Sequence, residues 1–337
     1  MVPPGQALTF LRTMLRIRRL EERCVHLAEE GLIPAHYHVY VGQEAAGTGA
    51  CAALERDDYV FTTHRNHGHV VAKGGDPARV LAEILGRSDG YLGGRGGTFH
   101  VAAPELRVLH TSAIVGGSLP LAAGVALALS RAKRREVTLA FFGDGTMEEG
   151  VSYETLNLAR LWRLPLIFYL ENNSVSAAER PGRGSPTSQH AARALADVPR
   201  AFDIPTSLVD GMDVEAVHAL VRELAARVRA GDGPVFVESR TTRWPGNYGS
   251  FPKLVGGDTA VAWAWEPGAA PEPIREWTAT SDPVIRYAAR LLDARVVDRE
   301  ALSAIDTEVT DEIERAARFA LASPPPHEEE ALAHVYR

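Results

Sequence analysis

Apolar residues recur along this chain at two different spacings. Between residues 6 and 32, Leu8, Leu11, Leu15, Ile17, Leu20 and Val25 return to one face at helical spacing. That stripe predicts an amphipathic helix laid against the rest of the fold. Largely apolar runs at 137–142, 166–170 and 234–238 predict strands of a buried sheet. The segments 149–162 and 214–229 carry helical periodicity, and 282–292 and 299–322 add two helices near the C-terminus. Strands alternating with helices predict an α/β fold, a mostly parallel sheet with helices on both faces in three layers. One domain is expected over 1–337, with helical extensions at about 1–35 and 282–337.

Two stretches have no such period. "GYLGGRGG" at 90–97 predicts a loop, and 244–273, rich in Gly, Pro and aromatics, predicts a long functional loop. "SPPPHEEE" reads as a polar linker to a last short segment, 331–337. The run 113–130 has no charged residue over roughly 18 positions, the threshold for a membrane span. Gly116, Gly117, Ser118 and Pro120 near its start point instead to a helix buried between other elements.

Composition narrows the function. The 337 residues carry a net charge of −7, with no basic face for nucleic acid. The clusters "LRIRRLEER" and "RAKRREV" are interleaved with acidic or apolar residues and read as solvated helix faces. Two cysteines, Cys24 and Cys51, are too few for a disulfide scaffold, so a reducing cytoplasm is expected. The N-terminus lacks the apolar core of a signal peptide, and no membrane partner is expected.

The chemistry concentrates where two predicted strands end. Gly143-Asp144-Gly145 closes the first, and Asn172-Asn173 closes the second after one helix. A right-handed crossover brings both loops to the carboxyl edge of the sheet, where open α/β sheets hold ligands. The glycines predict a sharp turn and close approach of a ligand. N–H groups at the start of the following helix suit a phosphate. Asp144 offers a carboxylate and Asn173 a neutral oxygen, a donor set for Mg²⁺ that also binds substrate phosphates. Taken singly, Gly-Asp-Gly is a common turn and Asn-Asn-Ser a common loop. Their joint placement is what predicts Mg²⁺ bridging the protein to a diphosphate. For His64, His67 and His69, a zinc site is not expected, because no Cys or carboxylate of suitable spacing accompanies them. His69 is expected at the surface, and His38 and His100 are expected to hold loops by hydrogen bonds.

Gly-Asp-Gly followed at this distance by Asn-Asn resembles the thiamine diphosphate-binding motif. "NLARLWRLPLIFYLENN" resembles the alpha subunit of the decarboxylating component of 2-oxo acid dehydrogenase complexes. The resemblance runs nearly end to end. It takes in "MLRIRRLEERCVHLAEEGLI", "HVYVGQEAAGTGACAAL", "GGRGGTFHV", "AIVGGSLPLAAGVALA", "VDGMDVEAV" and "IDTEVTDEIERAARFALASPPP".

The resemblance implies roles for individual residues. Asp144, Asn173 and the main-chain oxygen of Val175 would hold Mg²⁺. Gly143 belongs to the same motif, and Gly145 and Thr146 would donate N–H groups to the diphosphate. Arg65 would pair with the phosphates, where its planar fork suits the oxygens. His64 stands where the family usually has Tyr and can still donate a hydrogen bond. Backbone atoms of Ala113 and Val115 would hold the aminopyrimidine ring, and His67 would lie at the mouth near the reacting carbon. The family's cofactor supplies an ylid that adds to a 2-oxo acid and takes up electrons as CO₂ leaves. The glutamate that works on its aminopyrimidine comes, by resemblance, from a beta subunit. An α2β2 assembly with the site at the interface is therefore expected.

One stretch departs from the family. Its usual Tyr-Arg-aromatic-His-Gly-His run appears here as "TRWPGNYGS", with Arg243 and Gly246 kept. Pro245 and Asn247 replace the histidines, and Tyr248 replaces a serine that is a regulatory site in some relatives. Asn247 can hydrogen-bond at the reacting centre but cannot exchange a proton near neutral pH. Two functions follow. One is a 2-oxo acid dehydrogenase component passing its acyl group to a lipoyl acyltransferase. The other is a carbon–carbon transferase of transketolase or acyloin-forming type.

Overall fold

The computed structural model describes residues 2–33, 35–173, 190–192, 194–242, 244–246 and 252–332. Six strands form one sheet: β1 (Tyr59–Thr63), β2 (Val108–Ser112), β3 (Thr138–Gly143), β4 (Leu166–Asn172), β5 (Thr206–Asp210) and β6 (Val235–Arg240). Their order is β2-β1-β3-β4-β6-β5, and every neighbouring pair is parallel. The expected α/β architecture with a parallel sheet is thus what the chain adopts.

Strand periodicity sorts the side chains into two cores. Leu139 and Phe141 of β3 and Ile167 and Tyr169 of β4 face one layer. That layer holds α1 (Pro4–Glu29), α2 (Glu44–Ala52), α3 (Asn66–Ala72), α4 (Pro77–Ile84) and α8 (Val214–Arg229). α10 (Pro283–Asp293) and α11 (Arg299–Ala322) pack over it, α11 lying on α1 and α4. Ala140 and Phe142, with Leu166, Phe168 and Leu170, face the opposite layer. There the main helices are α5 (Ser118–Arg131) and α6 (Gly150–Leu161), with the short α7 (Asp197–Ala201) beside them.

Helix starts follow side-chain chemistry. Asp213, Asp282 and Asp298 each accept backbone N–H groups at the N-termini of α8, α10 and α11. The 90–97 loop is held by a carboxylate instead. Glu83, fully buried on α4, accepts the N–H groups of Leu92, Gly94 and Gly96 at 2.6–3.0 Å.

Three expectations are corrected. The cluster "LRIRRLEER" is not a solvated face: Arg18 is 1% exposed and donates to both Asp282 oxygens at 2.9 Å and to Glu44 at 2.6 Å. A helix covered on two sides turns some of its charges inward, and these stay only because each finds a partner. The run 113–130 is not a uniformly buried helix. Its first residues form the loop after β2, and Leu121 on α5 is half exposed. Among the described residues no helix is long and apolar enough to cross a membrane. Finally, the 244–273 stretch contains two short 3₁₀ turns and the start of α9 (Glu272–Thr280).

Candidate active site

The carboxyl ends of four adjacent strands, β2, β1, β3 and β4, open into a single cavity of about 250 Å³. Each strand delivers its following residues. β1 leads to Thr63, His64 and Arg65, and β2 to Ala113, Ile114 and Val115. β3 leads to Gly143, Asp144, Gly145 and Thr146, while β4 carries Glu171 and leads to Asn173. Gly143 pairs in register with Glu171, which sets the two polar loops side by side.

The groups are placed with little freedom. Asp144 and Asn173 are each 7% exposed. Asn173 donates its side-chain N–H to Gln43 Oε1 at 3.1 Å, so the amide oxygen is the end turned from Gln43. Arg65 donates from Nη1 to the Val39 carbonyl at 2.5 Å, which anchors one edge of its guanidinium. Gly143 and Gly145 do not use the left-handed conformation expected of a sharp glycine turn. What they leave is room: a Cβ on Gly143 would meet nothing within 4 Å, and one on Gly145 only Val115 at 4.0 Å. A 3₁₀ segment, Asp144–Glu148, comes before α6. The amides beside the cavity therefore belong to that segment rather than to the long helix.

The structure brings most of the expected residues together. His64, Arg65, Ala113, Val115, Gly143, Asp144, Gly145, Thr146 and Asn173 all line the cavity. His67 does not lie at its mouth. The ring is fully buried, within hydrogen-bond distance of the Thr98 carbonyl at 2.7 Å and of Glu21 at 3.3 Å, and stacked on Tyr37. Its helix, α3, turns this position inward toward α1. His69 is fully buried too, contrary to the surface position expected. His100 does hold a loop, with Nδ1 3.1 Å from the Thr111 carbonyl. His38 packs its ring against His64 at 5.0 Å and Phe99 at 5.6 Å. Val175 and Asn247 fall outside the described residues. Gln43 and Glu171 also line the cavity, and the sequence pattern does not single them out. The available signal for Glu171 is a carboxylate at the end of a strand, directly before the Asn pair.

Comparison with known proteins gives the family. The family model for the dehydrogenase E1 component matches residues 12–250. The chain belongs to the dehydrogenase E1 component family. Among the relatives of this E1 chain is the alpha subunit of acetoin:2,6-dichlorophenolindophenol oxidoreductase from Bacillus subtilis (strain 168). It is 35% identical, over 98% of this chain and 93% of its own. The pyruvate dehydrogenase E1 alpha subunit of Zymomonas mobilis is 36% identical, over 98% of this chain and 88% of its own. The somatic mitochondrial form from Homo sapiens is also 36% identical, over 98% and 79%. The resemblance to the alpha subunits of decarboxylating dehydrogenase components therefore holds over nearly the whole E1 chain.

Proposed function

We propose that this chain is the alpha subunit of a thiamine diphosphate- and Mg²⁺-dependent 2-oxo acid dehydrogenase, working with a beta-type subunit. The observation that carries the reading is the convergence of Asp144, Asn173 and Arg65 on one cavity at the carboxyl edge of the sheet. The donor set fits the group. One carboxylate and one amide oxygen suit a hard cation that keeps phosphate oxygens among its ligands. The empty space over Gly143 and Gly145 suits a diphosphate lying close to the backbone.

In this reading Asp144, Asn173 and the Val175 carbonyl hold Mg²⁺. Gly145 and Thr146 N–H groups, Arg65 and His64 hold the diphosphate oxygens, and Ala113 and Val115 backbone atoms hold the aminopyrimidine. Bound there, thiamine diphosphate supplies the carbanion that adds to a carbonyl and the ring that takes up electrons on decarboxylation. Ile114, Val115 and Leu119 give the cavity an apolar wall, which a partner surface laid over it would close against water. Asn247, where the family usually has histidine, cannot exchange a proton near neutral pH. His67 is assigned to holding the Thr98 loop rather than to the reacting carbon.

Two features support a partner subunit. The cavity, about 250 Å³, lies at the carboxyl edge of the sheet, and a second surface over it would complete the enclosure of the cofactor. Its rim is apolar and open: Ile114 is 75% exposed and Val115 50%. Further apolar side chains are exposed on α5 and toward the C-terminal end of α6: Leu121, Leu158, Leu161 and Trp162 just past it. We assign this face to the beta-type subunit, in an α2β2 assembly. The two cysteines, buried and free, support the reducing cytoplasm as the compartment.

The acceptor of the acyl group separates two readings. Asn247 in place of the usual histidine, together with a relative named for acetoin, favours as the second reading a subunit that makes or cleaves an acyloin. The test is to assemble the chain with a beta-type subunit and supply a 2-oxo acid. Reduction of an artificial acceptor or of lipoamide, dependent on thiamine diphosphate and Mg²⁺, is expected. A new acyloin without any electron acceptor would favour the second reading, and no cofactor-dependent turnover of either kind would overturn both.

A further inference from the structure

Behind the cavity wall runs a string of buried polar side chains that cofactor binding alone does not account for. Glu171, 3% exposed, takes part in the wall. Its Oε1 accepts the Tyr40 hydroxyl and lies 3.2 Å from His69 Nε2. Against an acceptor-only carboxylate, Nε2 is the donor. At the other side of the ring, His69 Nδ1 is 2.5 Å from the Thr62 hydroxyl. Thr62, His69 and Tyr40 are fully buried.

The packing leaves these groups one arrangement. The His69 ring is stacked on Phe141 at 3.9 Å and meets Tyr40 edge-on at 4.6 Å. Tyr40 sits in a slot over two glycines. A Cβ on Gly47 would lie 2.7 Å from its hydroxyl, and one on Gly68 would run into its ring. Polar groups at this depth cost stability unless satisfied, so apolar residues would serve a plain core equally well.

The string ends on three segments, and each carries part of the cavity. Thr62 precedes Thr63, His64 and Arg65. Tyr40 lies between Val39, whose carbonyl holds Arg65, and Gln43, which holds Asn173. Glu171 stands two residues before Asn173, and its carbonyl accepts the Asn173 N–H at 3.1 Å in the turn that closes β4. We infer that His69, with Tyr40, acts through Glu171 to fix the cation-binding amide of Asn173 relative to the phosphate-binding Arg65. His69 is a positioning residue for the site. This inference rests on the thiamine diphosphate–Mg²⁺ reading above.

The test is Mg²⁺-dependent thiamine diphosphate binding, measured by calorimetry on the full chain assembled with its beta-type subunit, beside the thermal midpoint of each variant. Loss of groups that orient a metal's ligands typically weakens affinity about 10–100-fold, and that loss is expected of His69→Leu. His69→Gln still carries an N–H donor toward Glu171 and is expected to recover most of the affinity. A role in stability alone predicts lower midpoints for both variants with unchanged affinity. If wild type binds and Asp144→Ala does not, but His69→Leu binds like wild type or His69→Gln is as weak as His69→Leu, the positioning role is overturned. If wild type shows no Mg²⁺-dependent binding, or Asp144→Ala binds as wild type does, the cofactor reading itself is overturned. Should His69→Leu fail to fold, Thr62→Val keeps the shape and replaces it: weaker binding supports the role, and unchanged binding overturns it.

Discussion

Gly143 and Glu171 are paired in register across β3 and β4, so the two loops bearing Asp144 and Asn173 leave the sheet side by side. Parallel pairing fixes this. With α6 between them, both strands end at the same edge, and a one-residue slip would turn Glu171 to the other face.

The first prediction separates binding from folding. Gly143 has φ −90° and ψ 169°, which alanine adopts freely, and its Cβ would meet no protein atom within 4 Å. Gly143→Ala is therefore expected to leave urea stability within about 0.5 kcal/mol of wild type. Gly143 lines the cavity assigned to the diphosphate, so with the methyl there thiamine diphosphate affinity is expected to fall at least about tenfold, or 1.4 kcal/mol. Equal affinity would show that the space is not used.

The buried Arg18 gives a stability test. Burial disfavours its charge, but Asp282 and Glu44 more than offset this, so the guanidinium stays protonated. Arg18→Met leaves two carboxylates without their cation and is expected to cost about 3–5 kcal/mol in urea unfolding. A cost under about 1 kcal/mol would mean that the carboxylates find other partners.

Thiol chemistry follows from depth. Burial pushes the Cys51 thiol up to about 12, and burial with Glu21 nearby pushes Cys24 up as well. Both thiols therefore stay protonated near neutral pH, and neither cysteine is expected to react with a disulfide reagent in the folded chain. Both are expected to react in guanidinium. Stoichiometric labelling of the native protein would contradict this.

The α5–α6 face is expected to carry the beta-type subunit. Leu121→Glu with Leu161→Glu places two charges on exposed positions, so the chain itself should fold normally. Size-exclusion chromatography should then show the separate chain where wild type forms the larger assembly. An unchanged assembly would place the interface elsewhere.

Much of the fold is legible in the sequence because its central elements are long and strongly periodic. Periodicity predicts α8 and α11 at their observed bounds, and β3, β4 and β6 within two residues. β1, whose five residues end in two threonines, escapes it, and so do the outer strands. β2 and β5 lie at the sheet edges, and their sequences "VLHTS" and "TSLVD" mix polar with apolar residues, so no buried run marks them. Among the site residues, the strand-end triplets are readable because glycine, carboxylate and amide sit together at predicted boundaries. His67, His69 and Glu171 are harder. Whether a polar residue points into a cavity, behind it or to solvent depends on how α3 and β4 rotate against α1. Local spacing carries none of that information.

The central claim is a divalent cation held between Asp144 and Asn173. Its most direct test is a crystal of the assembled protein grown with Mn²⁺ in place of Mg²⁺ and with thiamine diphosphate, read by anomalous scattering. The account predicts one strong peak within about 2.0–2.3 Å of an Asp144 carboxylate oxygen and the Asn173 amide oxygen, with diphosphate oxygens completing the shell. Cofactor bound with no peak there, or a peak held by other residues, would contradict it.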